Sequence, residues 1–302
     1  MDNDLVTRLD SRSVNGSAMA NVSLLRLDRS GGLAPGNKSF KLQQNLAQAR
    51  RLGIQRLVSF GGAWSNHLHA LAAVGRDAGF ATVGIVRGEA SAQDSPTLAD
   101  ARAWGMHLVN VSRTEYRRRN DDDYLEQVRQ RFAPCLVIPE GGANPAGARG
   151  AMAIAQLIKQ AAPDVRRVVL SVGSGTTLAG VVAGLDQGYE VVGIAALKGA
   201  ADLEQRVEQL LTGIAGSAVA RWQILHDYHC GGFARVSPPL REFITAFEQA
   251  HGVPLDPVYT GKMLFAIQQL RQCRQWHADT PVLAIHSGGL QGRRGYAWLA
   301  GA

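Results

Sequence analysis

Residues 166–180 read "RRVVLSVGSGTTLAG": an apolar, β-branched run that breaks into small residues and then turns helical. A run of this kind, stopped by glycine, is the pattern of a strand covered on both faces. A parallel neighbour needs a crossover, usually a helix. The same unit recurs along the chain. Apolar runs stand at 57–61, 81–86, 106–111, 135–140, 190–197 and 281–287, with helix-period segments such as 41–52, 144–162, 238–250 and 262–273 between them. Alternating strands and helices predict an α/β chain with open, mainly parallel twisted sheets. No low-complexity linker or internal repeat divides it.

Glycine-rich turns cluster at 30–38, 60–67, 139–147, 172–180 and 286–292. Each follows a strand or precedes a helix, which is the edge of an open α/β sheet where ligands bind. Five of them predict a large shared site. In "VGSGTTLAG" (172–180), Gly173, Ser174, Gly175, Thr176 and Thr177 are small enough for backbone N–H groups to converge on a phosphate at a helix N-terminus. An ordinary strand-to-helix turn uses the same residues, so the loop alone does not choose. It is not a Walker loop, because no Gly-Lys-Ser/Thr follows, and the third glycine of a dinucleotide fingerprint is displaced to Gly180. In "FGGAWSNH" (60–67), Ser65 and Asn66 stand where helix caps are favoured. Capping accounts for both, and so does an anion pocket for a substrate carboxylate. His67 in the same turn reads as structural or reactive.

A chain of 302 residues holds one large domain or two ordinary ones. With 46% hydrophobic and 19% charged residues it reads as globular. No apolar run is long enough for a membrane span, so no membrane partner is expected. The stretch "MDNDLVTRLD" (1–10) has early acids and no apolar core, unlike a signal peptide, so the expected compartment is the cytoplasm. The net charge of +7 invites nucleic acid, but arginine is scattered and its densest run, "RRRNDDD" (117–123), carries its own acids. That reads as a self-neutralising loop or helix start, so no nucleic-acid partner is expected. Cys135, Cys230 and Cys273 are odd in number, far apart and without metal spacing, so neither a disulfide framework nor a metal is expected. Cys135 in "CLVIPE" reads as buried core; Cys230 in "YHCGGF" reads as core or pocket-facing.

Only five lysines occur against 27 arginines, and two of the five, Lys38 and Lys41, share "GNKSFKL" (36–42). A third, Lys262, lies in "DPVYTGK" (256–262). A surface role is the ordinary reading of any one lysine. Three beside glycine-rich turns point instead to chemistry that arginine cannot do, since lysine can lose its proton and attack a carbonyl. A phosphate loop, a carboxylate pocket and a nucleophilic lysine together suggest pyridoxal 5′-phosphate, whose aldehyde links to a lysine.

"LLRLDRSGGLAPGNKSFKL" (24–42) resembles the lysine segment of the 1-aminocyclopropane-1-carboxylate (ACC) deaminase / D-cysteine desulfhydrase family, within the tryptophan-synthase-β-like (type II) pyridoxal-phosphate enzymes. "FGGAWSNH", "PEGGAN" (139–144), "VGSGTTLAG", "DPVYTGK" and "HSGG" (286–289) follow in the family's order, so the resemblance spans nearly the whole chain. It implies a large domain of 1–40 and 146–302 and a small domain of 41–145, with the cofactor between them. It implies that Lys38 links to the aldehyde, favoured by its 28-residue spacing to Asn66; "SFK" resembles the lysine motif of other type II enzymes and makes Lys41 the alternative. Asn66 would bond the cofactor's phenolic oxygen, and Gly173, Ser174, Gly175, Thr176 and Thr177 its phosphate. Thr260 and Ser287 would also border the cofactor. Ser65, Asn66, His67 and Trp64 would face a small amino-acid substrate, with Ser65 and Tyr259 taking part in catalysis. A homodimer is expected.

Two positions depart from ACC deaminases. Those enzymes carry Glu after "DPVY", where this chain has Thr260, and Gln where it has Trp64. In the family the first position lies by the pyridine nitrogen. A carboxylate there holds the nitrogen protonated and makes the ring a strong electron sink; a hydroxyl leaves it largely neutral. Loss of a thiol from an ordinary amino acid needs less of a sink than opening a cyclopropane. The expectation is therefore a lyase of the D-cysteine desulfhydrase kind, releasing keto acid, ammonia and sulfide. ACC deamination is the second reading, and a racemase or dehydratase the third. A non-catalytic pyridoxal-phosphate-binding protein and a nucleotide-binding protein are readings from other classes. Intact Lys38, Asn66 and Tyr259 argue against the former, and the missing Walker lysine against the latter.

Overall fold

A computed structural model describes residues 5–9, 13–14, 17–89, 93–214 and 219–299. In chain order the strands are β1 (Val6–Arg8), β2 (Ser13–Val14), β3 (Ser17–Ala18), β4 (Val22–Arg26), β5 (Arg56–Gly61), β6 (Ala81–Arg87), β7 (His107–Val111), β8 (Leu136–Ile138), β9 (Arg167–Val172), β10 (Glu190–Ala195), β11 (Arg221–Leu225) and β12 (Val282–His286). The helices are α1 (Asn37–Arg51), α2 (Asn66–Ala78), α3 (Pro96–Ala103), α4 (Arg113–Arg117), α5 (Asp122–Phe132), α6 (Pro145–Ala161), α7 (Thr176–Gly184), α8 (Leu203–Thr212), α9 (Pro238–His251) and α10 (Thr260–Gln272). Each apolar run expected to be a strand is one. The strands β4 and β11 were not expected, being short and interrupted by polar residues.

The fold is α/β, and the chain divides into two compact units: Met1–Ser30 with Ala151–Leu290, and Gly31–Gly150 with Gln291–Ala302. The second unit starts earlier than the expected 41–145 and takes in the tail from Gln291. Side-chain bonds explain the tail's place: Arg294 pairs with Asp100, and Gln291 bonds Thr97 and Asn66.

The first unit holds a six-stranded sheet in the order β1-β4-β12-β9-β10-β11. All its pairs are parallel except β1 with β4. From β9 the chain proceeds outward through β10 to β11, whereas β12 returns on the opposite side. The strand order therefore reverses between β9 and β12, which is where an open α/β sheet leaves a crevice at its carboxyl ends. The second unit holds a parallel sheet in the order β7-β6-β5-β8, with its reversal between β5 and β8. Period-two alternation splits β5 between two cores. Leu57 packs with Leu42, Leu68 and Leu71, while Val58 and Phe60 pack with Tyr116, Tyr124 and Val128. Phe60 is fully buried, and a side chain of that size gains about 2–3 kcal/mol from leaving water.

Cys135 departs from its expectation. It is half-buried, because it precedes the edge strand β8 and donates only a long bond to the Arg129 carbonyl. The run 117–123 behaves as expected: Arg118 pairs with Asp121, and Asp122 and Asp123 fill the first turn of α5, where the helix dipole favours acids.

A buried ion pair sits just past the end of β4, beside the end of its partner β12. Arg26, 2% exposed, donates from Nε and Nη2 to the two oxygens of Asp28 at 2.8 and 2.6 Å. His286 Nδ1 lies 3.3 Å from Asp28 Oδ1, and its Nε2–H donates to the Pro254 carbonyl at 2.8 Å. Removing one partner of a buried pair strands the other charge, at about 3–5 kcal/mol. Asp28→Ala is therefore expected to lower the urea unfolding free energy of its unit by that amount, and Asp28→Asn by less, since an amide oxygen still accepts from Arg26.

Candidate functional site

In the first unit, β9 runs into Gly173, Ser174 and Gly175 before α7. Gly175 is the N-cap at φ +80, and a Cβ there would meet Val207 Cγ2 at 2.8 Å, so both backbone and space require glycine. No side chain caps α7, and the first-turn N–H groups of a helix have no partner within it. Ser174 Oγ and Thr176 Oγ1 lie 2.9 Å apart, and Thr176 and Thr177 are buried. Gly173 lets the Tyr259 ring close over this turn: a Cβ at 173 would lie 3.2 Å from Tyr259 Cε1. Ser287 follows β12, the neighbour of β9 across the reversal.

Tyr259 and Thr260 are held by Asp256, a buried residue absent from the expected site. Its Oδ1 accepts the N–H groups of Val258 and Tyr259 at 3.0 and 2.7 Å, its Oδ2 that of Thr260 at 2.8 Å, and its carbonyl that of Gly261 at 2.8 Å. Helix α10 thus begins at Thr260, earlier than the expected 262. Capping does not explain Thr260: Tyr259 occupies the N-cap, and Thr260 Oγ1 is buried without a hydrogen-bond partner. The signal for Asp256 was in the sequence, as an aspartate before a helix start.

Lys262 is a strut. Its Nζ, 1% exposed with its residue, donates to the carbonyls of Gly232 at 2.6 Å and Ala196 at 3.3 Å. Burial pushes its amine below the ordinary lysine range. The Gly232 bond fixes a turn in which Cys230, Gly231, Gly232 and Ala234 all have positive φ. Cys230 is half-buried there with its thiol raised by burial, and Phe233 sets its ring edge-on to Tyr259 at 6.3 Å.

In the second unit, α1 starts at Asn37 rather than 41, with Ser39 Oγ donating to the Gly36 carbonyl at 2.8 Å. Lys38 and Lys41 therefore share the first turns of one helix. Lys38 is half-buried, and its Nζ donates to Asn37 Oδ1 at 2.9 Å. Lys41 is 2% exposed. Burial first, then the charge of Lys38, hold its amine well below the ordinary range.

Beyond β5, Ser65 caps α2 by accepting the Leu68 N–H at 3.2 Å, which leaves its own hydroxyl proton to donate. Asn66 is the first residue of α2. His67 is buried, and burial, then Lys41 and Lys38, keep it neutral. Its tautomer follows from Ser59, whose hydroxyl donates to the Ile138 carbonyl at 2.7 Å. Ser59 Oγ must then accept from His67 Nε2 at 2.9 Å, so Nδ1 bears a lone pair, buried and unpartnered. This link spans β5 and β8, the two strands at the reversal. Trp64 is 43% exposed and its ring lies against Gly295 in the tail. Among the described residues no His, Cys, Asp or Glu cluster can hold a metal, and no helix is long and apolar enough to cross a membrane.

A family profile described as "Pyridoxal-phosphate dependent enzyme" matches residues 24–288. A D-cysteine desulfhydrase of Salmonella choleraesuis is 30% identical over 270 residues, 84% of this chain and 82% of that protein. A putative 1-aminocyclopropane-1-carboxylate deaminase of Pyrococcus horikoshii is 25% identical over 280 residues, covering 90% of this chain and 86% of that protein. Among solved structures, an ACC deaminase homologue superposes with a TM-score of 0.78 at 24% identity over 92% of this chain and 86% of that one, a likeness of fold.

The residues present fit such a cofactor. The glycine turn at 173–175 leads into a helix start that no side chain caps, and the orphaned Thr260 hydroxyl offers a neutral hydrogen bond to a ring nitrogen. A buried hydroxyl without a partner costs the cofactor-free fold about 1–3 kcal/mol in lost hydration. Thr260→Val, of nearly the same shape, is thus expected to raise the unfolding free energy of the cofactor-free protein by up to about that amount. The same change should weaken pyridoxal-phosphate binding by about 0.5–1.5 kcal/mol, measured by fluorescence titration.

A second expectation concerns pH. The lowered amine of Lys41 means that the unfolded chain binds more protons than the folded one between the folded value and the ordinary 10.5, so stability rises with pH across that window. Lys41→Met in the cofactor-free protein should flatten that rise, as read from urea midpoints against pH.

Proposed function

The chain belongs to the pyridoxal-phosphate dependent enzyme family, and on that footing we propose that it is a lyase that eliminates the β-substituent of a small amino acid, D-cysteine first among the candidates. When bound, the cofactor supplies an aldehyde that condenses with amines and a ring that draws electrons from bonds at the substrate's Cα. Lys38 Nζ would hold the cofactor's aldehyde carbon, and its amine would serve as the base for the Cα proton. Lys38 is preferred over Lys41 on its half-buried position, open to a ligand where Lys41 is enclosed.

The 173–177 turn takes the phosphate mainly through backbone N–H groups. Asn66 donates to the phenolic oxygen, and Ser65, at the open end of α2 with its proton free, binds the substrate carboxylate with the helix dipole behind it. His67 presents only a neutral lone pair and a ring held by Ser59. Tyr259, whose backbone N–H Asp256 holds, would move a proton at Cα or at the leaving group. Loss of the thiol leaves an enamine acid that hydrolyses to keto acid and ammonia.

One observation carries the choice of elimination: Thr260 is a buried, neutral hydroxyl with no partner and no carboxylate in its place. It can bond a ring nitrogen without protonating it. The putative ACC deaminase among the relatives keeps cyclopropane opening as the second reading.

The decisive experiment incubates the purified holoenzyme with D- and L-amino acids and ACC, and measures keto acid and sulfide. Sulfide from one cysteine enantiomer is expected, with little keto acid from ACC; robust ACC turnover would overturn the argument from Thr260. Borohydride reduction and peptide mapping should place the cofactor on Lys38. An adduct on Lys41 reverses that assignment.

A further inference from the structure

Gln291 lies in the glycine-rich turn 286–292, just past "HSGG", and was assigned no role there, yet its carboxamide links two elements of the second unit. Thr97, fully buried on α3, donates from Oγ1 to Gln291 Oε1. Gln291 Nε2 in turn donates to Asn66 Oδ1 at the start of α2. An amide oxygen only accepts and an amide nitrogen only donates. With its oxygen turned to Gln291, Asn66 directs its Nδ2–H donors to the other side, where a ligand would sit. The donor chain therefore runs one way, from a buried hydroxyl through one amide to the next.

We propose that Gln291 is a positioning residue that, held by Thr97, fixes the Asn66 carboxamide with its N–H donors toward the cofactor's phenolic oxygen. The proposal rests on the reading of Asn66 as the partner of that oxygen. The oxygen carries negative charge when deprotonated, so an N–H stabilises it and an amide oxygen repels it. The two ends of a carboxamide have nearly the same shape, and sterics alone cannot choose between them. Only the polarity of the Thr97–Gln291–Asn66 chain decides. In the reverse chain, with Thr97 accepting and Asn66 Nδ2 donating to Gln291, Asn66 would face the ligand with Oδ1.

Gln291→Glu tests this in the holoenzyme. A carboxylate at 291 accepts from both neighbours and draws Asn66 Nδ2 away from the ligand. The pH midpoint of the bound cofactor's visible absorption band is expected to rise, because the lost donor had stabilised the deprotonated form. The Kd for pyridoxal phosphate is expected to rise about two- to tenfold, the loss of one hydrogen bond. Thr97→Val should shift both in the same direction by less, and Asn66→Ala by at least as much as Gln291→Glu. Unchanged melting temperatures of the cofactor-free variants establish that the fold is intact; if Gln291→Glu does not fold, Thr97→Val carries the same test. A wild-type band in Gln291→Glu and Thr97→Val beside a shifted band in Asn66→Ala overturns the inference and leaves the Asn66 assignment standing. A wild-type band in Asn66→Ala overturns that assignment and the inference with it.

Discussion

A parallel strand buried on both faces spends its backbone polar groups on its neighbours and has room for polar side chains only at its ends. That constraint sets the chemistry of both units. In the first, Arg26, Ser171, Thr176, Thr177 and His286 are all buried at or just past the carboxyl ends of β4, β9 and β12. In the second, Ser59 and His67 occupy the corresponding place at β5 and β8. Each sheet reverses its strand order there, and the glycine turns follow because the chain must leave a crowded edge sharply.

The charges at these edges are held by backbone dipoles as much as by opposite charges. Asp256 takes three N–H groups and Lys262 two carbonyls, so neither depends on a flexible partner. Such bonds place Tyr259 and the 230–234 turn more firmly than a surface ion pair, which is weak and screened. Lys38 and Lys41 are different. They share a helix start, and burial and mutual repulsion push Lys41 toward its neutral form. His67 is pushed the same way. This concentration of amines and a neutral imidazole suits a carbonyl ligand that bears negative charge, because the amine must be unprotonated to react and an anion offsets the repulsion.

The fold and the cofactor are those of the family; within them Thr260 is fully buried and tied at its backbone to Asp256. A carboxylate introduced there would bury a charge beside Asp256, so the surroundings as well as the residue favour a neutral group.

Alternation of apolar runs with helical segments was enough to determine an α/β chain with parallel sheets, and the ordered motifs were enough to determine the family. Both are local or sequential properties that periodicity and spacing record. The small residues at 173–177 and the cap at Ser65 were legible for the same reason. Other features needed the folded chain. Lys262 looked reactive beside Lys38 and Lys41, and only its contacts with the Gly232 and Ala196 carbonyls made it a strut. Thr260 carried no sign of its burial, and only the folded chain shows its hydroxyl enclosed without a partner and its N–H held by Asp256. The tautomer of His67 depends on Ser59 and Ile138, and the polarity of Asn66 on Thr97 and Gln291, partners far apart in sequence. Hydrogen-bond direction is decided by which groups meet in space, and no period or motif in the chain encodes that meeting.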